Sequence, residues 1–233
     1  MFHQSKGRPP HSESEPVTPS QPQCHPEDLR LAWQVIEKYT PGIPGDDHQY
    51  IEHRVLFHLD QLKKAFPNLH DLRDKRILDL ACGSRTYEDD TIGRYEPWMS
   101  RLLLHLGARP VGIDLTRQQG EEFAAYQVDL TVPDALEFID SSSFDGAYIC
   151  AFPTRKAIHH LHKKGLTWPE VRENILFHMR RCLKPEGIII RQFSTGDEEL
   201  VRKTLAEIQP PPPITMPPYN LPRHYFDDDE FLL

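Results

Sequence analysis

The sequence predicts an α/β protein with a doubly wound, mostly parallel sheet, and three observations lead to this fold class. From Arg76 onward, short apolar runs alternate with segments of helical periodicity, which is the pattern of βαβ crossovers with helices on both faces of a sheet. Three of the apolar runs end in an aspartate. Two amphipathic segments precede the first run, and proline-rich segments stand at both ends of the chain.

The composition narrows the class of protein. The chain has 233 residues, 38% of them hydrophobic, with 27 Lys+Arg against 35 Asp+Glu and a formal net charge of -8. This balance disfavours a surface that neutralises a phosphate backbone, so we expect no nucleic-acid partner. The chain begins without a signal-peptide pattern, and no apolar run reaches membrane-spanning length. The sequence therefore predicts a cytoplasmic protein with no membrane partner.

The chain divides into four segments. Residues 1–26 contain six prolines among Ser, Glu and Gln, a composition that predicts a disordered tail. We expect residues 27–70 to form a helical lid and residues 71–208 to form a ligand-binding domain. Residues 209–233 are again broken by prolines, which predicts an extended segment.

Two helices are predicted in the lid. The segment “PEDLRLAWQVIEKY” has Pro26 in its first turn, and its apolar face carries Leu29, Ala32, Trp33 and Ile36. After a “TPGIPGDD” turn, “HQYIEHRVLFHLDQLKKAF” repeats the pattern with Ile51, Val55, Leu59, Leu62 and Phe66. We expect both helices to wall the substrate side of the domain and to select the acceptor.

The next segment predicts five strands in alternation with helices. The predicted strands are “RILDLA”, “PVGIDL”, “AAYQVDL”, “FDGAYICAF” and “GIIIRQF”. The predicted helices cover residues 97–106, 133–140, 168–183 and 197–208. Thr167 and Glu170 have the spacing of a capping box at the start of the third of these helices. Between the fourth strand and that helix, “TRK” indicates a solvated turn.

The predicted ligand site lies at the strand ends, because an open parallel sheet binds ligands beyond its carboxyl ends. Asp79 ends the first strand, and Asp114 and Asp129 end the second and third. The G-x-G-x-x-G turn that a pyrophosphate requires is missing after the first strand. Three carboxylates at one sheet edge suit a ligand that carries an ammonium, a sulfonium and a ribose diol.

The ordered motifs “LDLACG … GIDL … VDL … FDGAYI … LKPEG” over residues 75–195 resemble those of the class I S-adenosylmethionine-dependent methyltransferases. The resemblance implies a Rossmann-like methyltransferase fold, S-adenosylmethionine (SAM) as cofactor and methyl transfer to a small-molecule acceptor. It places the first acid and its turn at the methionine end, the second acid at the ribose and the third at the adenine. The implied cofactor-binding residues are Asp79, Ala81, Cys82, Gly83, Asp114, Leu115, Asp129, Leu130 and Cys150. Phe152 is implied to line the transfer site together with Cys150.

The sequence departs from that family at the turn after the first strand. Ala81 stands at the first glycine and Arg85 at the last one of the family's acid-x-Gly-x-Gly-x-Gly pattern. The inserted residues “TYEDDTIGRYE” predict a loop over the cofactor, with Tyr87 or Trp98 stacking nearby. The D/N-P-P-[YF] signature of enzymes that methylate amino groups of bases or glutamines is missing. Its absence argues against DNA bases, RNA bases and protein glutamines as methyl acceptors.

Several alternatives stay open. A non-catalytic relative that keeps the fold as a binding module fits the altered turn, and a reductase of the NAD type would also hold a ribose at Asp114. Asp129 is as readily a helix cap as an adenine ligand. Cys82 and Cys150 are interpreted as small core residues rather than as nucleophiles. No catalytic residue is identified, although His159 and His160 are candidates for a general base. We expect no metal site, because the histidines form no recognisable zinc pattern.

Overall fold

The structure is a computed structural model, and it describes residues 25–40, 45–83, 96–150, 152–153, 155–191 and 201. The predicted tail up to residue 24, the inserted loop with Arg85 and Tyr87, and the proline-rich segment 209–233 lie outside the described residues. The predicted helix 197–208 also lies outside them, apart from Val201.

A five-stranded sheet forms the centre of the fold. Its strands are β1 (Arg76–Leu80), β2 (Arg109–Asp114), β3 (Ala124–Gln127), β4 (Phe144–Ile149) and β5 (Leu183–Arg191). They lie in the order β3-β2-β1-β4-β5, and every neighbouring pair is parallel. The strand order reverses between β1 and β4, so the carboxyl ends of these two strands form the switch point. The predicted α/β, doubly wound architecture is confirmed.

Three helices cover one face of the sheet: α1 (Pro26–Tyr39), α2 (Gly45–Ala65) and α3 (Trp98–His105). Buried apolar residues of all three helices pack with residues of β1, β4 and β5 in one hydrophobic cluster. The two N-terminal helices therefore form a layer of the core, and their removal would expose that face of the sheet. Trp33 differs from the prediction, because it is 42% exposed and stacks on His48, while Val35 is buried in its place.

In the part of the chain that the structure describes, α4 (Arg155–Lys163) and α5 (Trp168–Cys182) cover the other face. The capping box of α5 is present, with the backbone N–H of Thr167 donating to Glu170 Oε2 at 3.1 Å. Helix α4 was not predicted, since the “TRK” segment was interpreted as a turn. Its buried residues are Ile158 and Leu161, which pack against the core of this face.

The predicted helix 133–140 is wrong. This segment is a series of turns closed by hydrogen bonds between residues three apart, for example from Ala135 N to Val132 O and from Ile139 N to Leu136 O. The guanidinium of Arg181 on α5 donates to the carbonyls of Leu136 and Ile139 at 2.7 and 2.8 Å. The Arg181 side chain thus supplies hydrogen bonds to carbonyls that the next turn of an α-helix would otherwise bind.

Two strand boundaries also differ from the prediction. β3 ends at Gln127, so Asp129 follows the strand by two residues instead of ending it. β5 begins at Leu183, and the predicted “LKPEG” turn lies within the strand, where the pairing with β4 shifts register. Among the helices that the structure describes, none is both long and apolar enough to cross a membrane.

Candidate functional site

The turn after β1 is tight and partly strained. Ala81 has a φ of 53° and Gly83 a φ of 94°, both in the left-handed region that favours glycine. The backbone N–H of Cys82 donates to Ile113 O at 3.1 Å, which ties the turn to β2. Ala81 thus adopts a glycine conformation at the position where the family pattern has its first glycine.

Asp114, at the end of β2, binds this turn. Its Oδ2 accepts from Gly83 N at 2.9 Å, and its Oδ1 accepts from the backbone N and the Oγ1 of Thr116 at 3.0 and 2.7 Å. The carboxylate is 6% exposed. Because a carboxylate accepts about four hydrogen bonds, these three described donors leave one acceptor position, on Oδ2.

Gln118 also contacts this turn, although the sequence pattern does not predict it as a site residue. Its Nε2 donates to Gly83 O, while its Oε1 is buried and has no hydrogen-bond partner. Buried acceptors of this kind are uncommon in folded proteins and call for an explanation. The “TRQQ” segment carries no pattern that distinguishes Gln118 from its neighbour, so no sequence signal could have found it.

Asp79 lies on the same face of the sheet as Asp114. It is 1% exposed, and the hydroxyl of Ser100 on α3 donates to its Oδ2 at 2.7 Å. Burial raises the pKa of Asp79 to about 7, with a further increase from the charge of Asp114, while the Ser100 hydrogen bond acts in the opposite direction. The structure thus brings the first two predicted carboxylates into electrostatic contact.

Asp129 lies on the face of the sheet that α4 and α5 cover, where protein side chains bind its carboxylate. Its Oδ1 accepts from the backbone N and the Oγ1 of Thr131 at 2.9 and 2.6 Å. Its Oδ2 is bonded to Lys164 Nζ at 2.9 Å and lies 3.4 Å from His160 Nε2. Burial raises the pKa of Asp129, but the bonds from His160, Thr131 and Lys164 outweigh burial and hold the pKa well below its ordinary value.

The other predicted site residues have separate surroundings. His160 is paired with Asp129, whereas His159 lies on the exposed side of α4. Leu130 is buried in the core beside α4 and α5, and Leu115 is half-buried. Burial, with added repulsion from Asp79 and Asp114, raises the pKa of the Cys82 thiol well above its ordinary value, which makes it a poor nucleophile at neutral pH.

Trp98 and Phe152 both pack against the protein. Trp98 is fully buried, and the Arg101 guanidinium lies over its ring at 4.7 Å, so Trp98 is a core residue and not a stacking surface for a ligand. Phe152 packs against the core on the α5 side, with its ring 5.8 Å from that of Trp168.

Cys150 follows β4 and lines a cavity on the face of the sheet that α2 covers. The cavity has a volume of about 540 Å³ and lies between α2 and the end of β4. Its described lining residues are Gln49, Tyr50, His53, Arg54, Phe57 and Cys150. Beneath it, the Tyr148 hydroxyl and His58 Nδ1 form a buried hydrogen bond of 2.8 Å. A cavity of this size accommodates a small organic molecule.

The sheet order and the helices on both of its faces define the class of this protein: a doubly wound α/β protein, in which the buried carboxyl groups of Asp79 and Asp114 lie near the carboxyl ends of β1 and β2. No protein-family model matches the sequence, and no curated protein matches it. Among solved structures, it is similar to the crystal structure of a SAM-dependent methyltransferase from Archaeoglobus fulgidus. The identity is 14% and the TM-score 0.39, over 75% of this chain and 72% of that chain. A likeness at this level carries no argument about ligand or reaction.

Proposed function

We propose that this protein binds SAM beyond the carboxyl ends of β1 and β2 and transfers its methyl group to a small-molecule acceptor. The observation that carries the proposal is the buried pair of acids, Asp79 and Asp114, on one face of two adjacent strand ends. Two neighbouring carboxylates disfavour an anionic ligand and are stabilised by a cationic one. SAM carries an ammonium and a sulfonium, whereas a dinucleotide carries two phosphates.

The residues of this corner fit an adenosine ligand. The free acceptor position on Asp114 Oδ2 and the unpartnered Gln118 Oε1 both lie beside Gly83. A ribose diol has two hydroxyl donors, so these two acceptors match it in number. A charged acceptor strengthens such hydrogen bonds. When bound, SAM supplies the activated methyl group, while the protein aligns the acceptor and excludes water.

The surroundings of Asp129 favour a second candidate, a non-catalytic relative that binds without turnover. All four acceptor positions of this carboxylate have described protein neighbours in Thr131, Lys164 and His160. An adenine amine reaches Asp129 only if His160 or Lys164 releases it. In this alternative, Asp129 fastens α4 to the segment after β3, and the crevice serves as a binding site.

Calorimetry with SAM tests the proposal on the wild-type protein and on Asp114→Asn. We expect SAM to bind, and we expect Asp114→Asn to weaken binding about tenfold or more because a charged acceptor is lost. Gln118→Met should weaken SAM binding severalfold. Asp74→Asn is the matched control, because Asp74 is exposed and its φ of 63° suits asparagine. This variant should bind SAM like the wild type.

Thermal unfolding with added ligand separates the candidates. A ligand at one hundred times its Kd stabilises the folded state by about 2.7 kcal/mol. No stabilisation by SAM, in a protein with normal unfolding, would refute the cofactor assignment. Stabilisation by NAD in its place would point to a reductase. SAM binding without methyl transfer across a panel of small acceptors would favour the non-catalytic candidate.

A further inference from the structure

Helix α2 has two functional faces. Its buried face packs into the core through Ile51, Val55, Leu59 and Leu62. Its second face carries Tyr50, His53, Arg54 and Phe57, which have the i, i+3, i+4, i+7 spacing of one helical stripe. This stripe forms a wall of the 540 Å³ cavity, and Cys150 at the end of β4 also lines it. The cavity is therefore lined by side chains that the core does not use.

The cavity wall carries an incompletely satisfied cation. Arg54 Nε is buried without a hydrogen-bond partner, and Arg54 Nη1 makes only a long contact of 3.5 Å with the Tyr50 hydroxyl. The ion pairs found among the described residues do not include Arg54. A buried guanidinium donor without an acceptor is unfavourable. An anionic group in the cavity would satisfy it.

A second guanidinium lies close to this wall. Arg191, at the end of β5, lies over the ring of Phe57 at 5.0 Å, and its Nη1 is 3.5 Å from Gln61 Oε1. Burial, followed by the charges of Arg54 and Arg191, lowers the pKa of His58 to about 3. The buried histidine beneath the cavity is thus neutral and in the field of two cations. This side of the fold favours negative charge in the cavity.

The same wall offers aromatic surface. Tyr50 and Phe57 are 39% and 37% exposed although both are large and apolar. Among the described lining residues of the cavity, none is acidic. Planar rings and a guanidinium on one wall suit a planar ligand whose edge carries an anion.

We propose that this cavity is the acceptor pocket and that it takes a planar aromatic carboxylate, with Arg54 binding the carboxylate and the rings of Tyr50 and Phe57 contacting its apolar face. The role as acceptor pocket rests on the proposed methyl transfer, since Cys150 lies where the transfer site is expected. The binding of an aromatic carboxylate rests on the cavity alone. It is therefore testable without the cofactor.

A pair of isosteric probes isolates the charge. The Kd of 2-naphthoate and of 2-naphthamide is measured by titration calorimetry on the full chain, without SAM and at saturating SAM. We expect naphthoate to bind about tenfold more tightly than naphthamide, which is the effect of one charge-assisted hydrogen bond in a partly open site. Because the two probes have the same ring system, hydrophobic contact alone gives equal binding.

Three variants locate the effect. Arg54→Met keeps the aliphatic stem and should reduce the preference for naphthoate to about twofold or less, whereas Arg54→Lys should retain part of it. Phe57→Ala should weaken both probes alike, because it removes ring contact and no charge. Arg180→Met on α5, where Arg180 is exposed, is the matched control and should leave both Kd values unchanged.

The possible outcomes separate this inference from the proposed function. Equal binding of the two probes to wild type, or an undiminished preference in Arg54→Met, overturns the aromatic-carboxylate pocket. If SAM binds and naphthoate does not, the inference fails and the cofactor assignment stands. If naphthoate binds with the expected preference and SAM does not, the pocket stands and methyl transfer fails. Should Arg54→Met not fold, the Arg54→Lys and Phe57→Ala variants still decide the location.

Discussion

Asp79→Asn is the substitution whose effect on stability follows most directly from the structure. In the folded protein this carboxyl is buried against α3, with Ser100 as its hydrogen-bond donor. Burial raises its pKa from 3.8 to about 7. Asparagine has nearly the same shape, accepts the Ser100 hydrogen bond and never ionises. The variant therefore removes the cost of a buried charge while it keeps the packing.

The magnitude follows from proton linkage. Because the folded state holds the Asp79 proton more tightly than the unfolded state, ionisation favours unfolding as the pH rises from about 4 to about 7. A shift of about three pKa units corresponds to about 4 kcal/mol at high pH, at about 1.4 kcal/mol per unit. Between pH 5 and pH 8, ionisation of Asp79 should lower the free energy of unfolding of the wild-type protein by about 3 kcal/mol.

Urea unfolding at pH 5, 6, 7 and 8, followed by circular dichroism, measures the effect. We expect the free energy of unfolding of Asp79→Asn to rise relative to wild type by about 3 kcal/mol from pH 5 to pH 8. Stability curves of wild type and variant that run parallel across this range would refute the reasoning, because they would mean that Asp79 ionises as easily folded as unfolded.

Asp145→Asn is the control at the opposite end of the sheet. Burial raises the pKa of Asp145, but hydrogen bonds from Lys184 and from the Arg76 backbone outweigh it, so the pKa is lowered from 3.8. The stability that Asp145 contributes is present above its unfolded pKa and is lost only as the pH falls through the lowered folded pKa. Its difference from wild type should therefore be constant between pH 5 and pH 8.

Three further stability predictions follow from single contacts and are measured by urea unfolding. Ala81→Gly should stabilise the protein by about 1 kcal/mol because it relieves a left-handed backbone conformation; a loss of stability would contradict the strain. Arg101→Met should destabilise by about 3–5 kcal/mol because it removes the guanidinium that binds the buried carboxylate of Glu121, and adding Glu121→Gln should recover part of this loss. Tyr148→Phe should cost about 1–3 kcal/mol through the lost bond to His58, and an unchanged stability would argue against that bond.

The sheet could be predicted from the sequence because its central strands, β1, β2 and β4, are short and largely buried apolar runs. The errors occur where local pattern and tertiary contacts disagree. Residues 133–140 have helical periodicity, but Arg181 from α5 takes the carbonyls of Leu136 and Ile139. Helix α4 is rich in cations and histidines, so its two buried residues, Ile158 and Leu161, are too few to indicate a helix in isolation.

The candidate site was predictable only where chemistry follows from position on a strand. Asp79 and Asp114 were found because the end of a parallel strand is also the usual ligand edge. Ser100, Gln118 and Arg54 were not found. Ser100 matters because it binds Asp79, which is distant in sequence. Gln118 and Arg54 matter because each has a buried polar atom without a hydrogen-bond partner. Asp129 was predicted to end the third strand but follows β3 by two residues, and its partners His160 and Lys164 could not be anticipated without helix α4.

The three aspartates differ in how the described residues offset their buried charge. Asp129 has Lys164 as a cation at 2.9 Å, and Asp114 has backbone and hydroxyl donors on both oxygens. Among the described residues, Asp79 accepts hydrogen bonds from Ser100 alone, and burial raises its pKa to about 7. Strongly perturbed pKa values are more frequent in functional sites than elsewhere in proteins. A cation bound beside Asp79 would stabilise the ionised carboxylate and lower that pKa, so the charge of the ligand and the protonation of Asp79 are coupled.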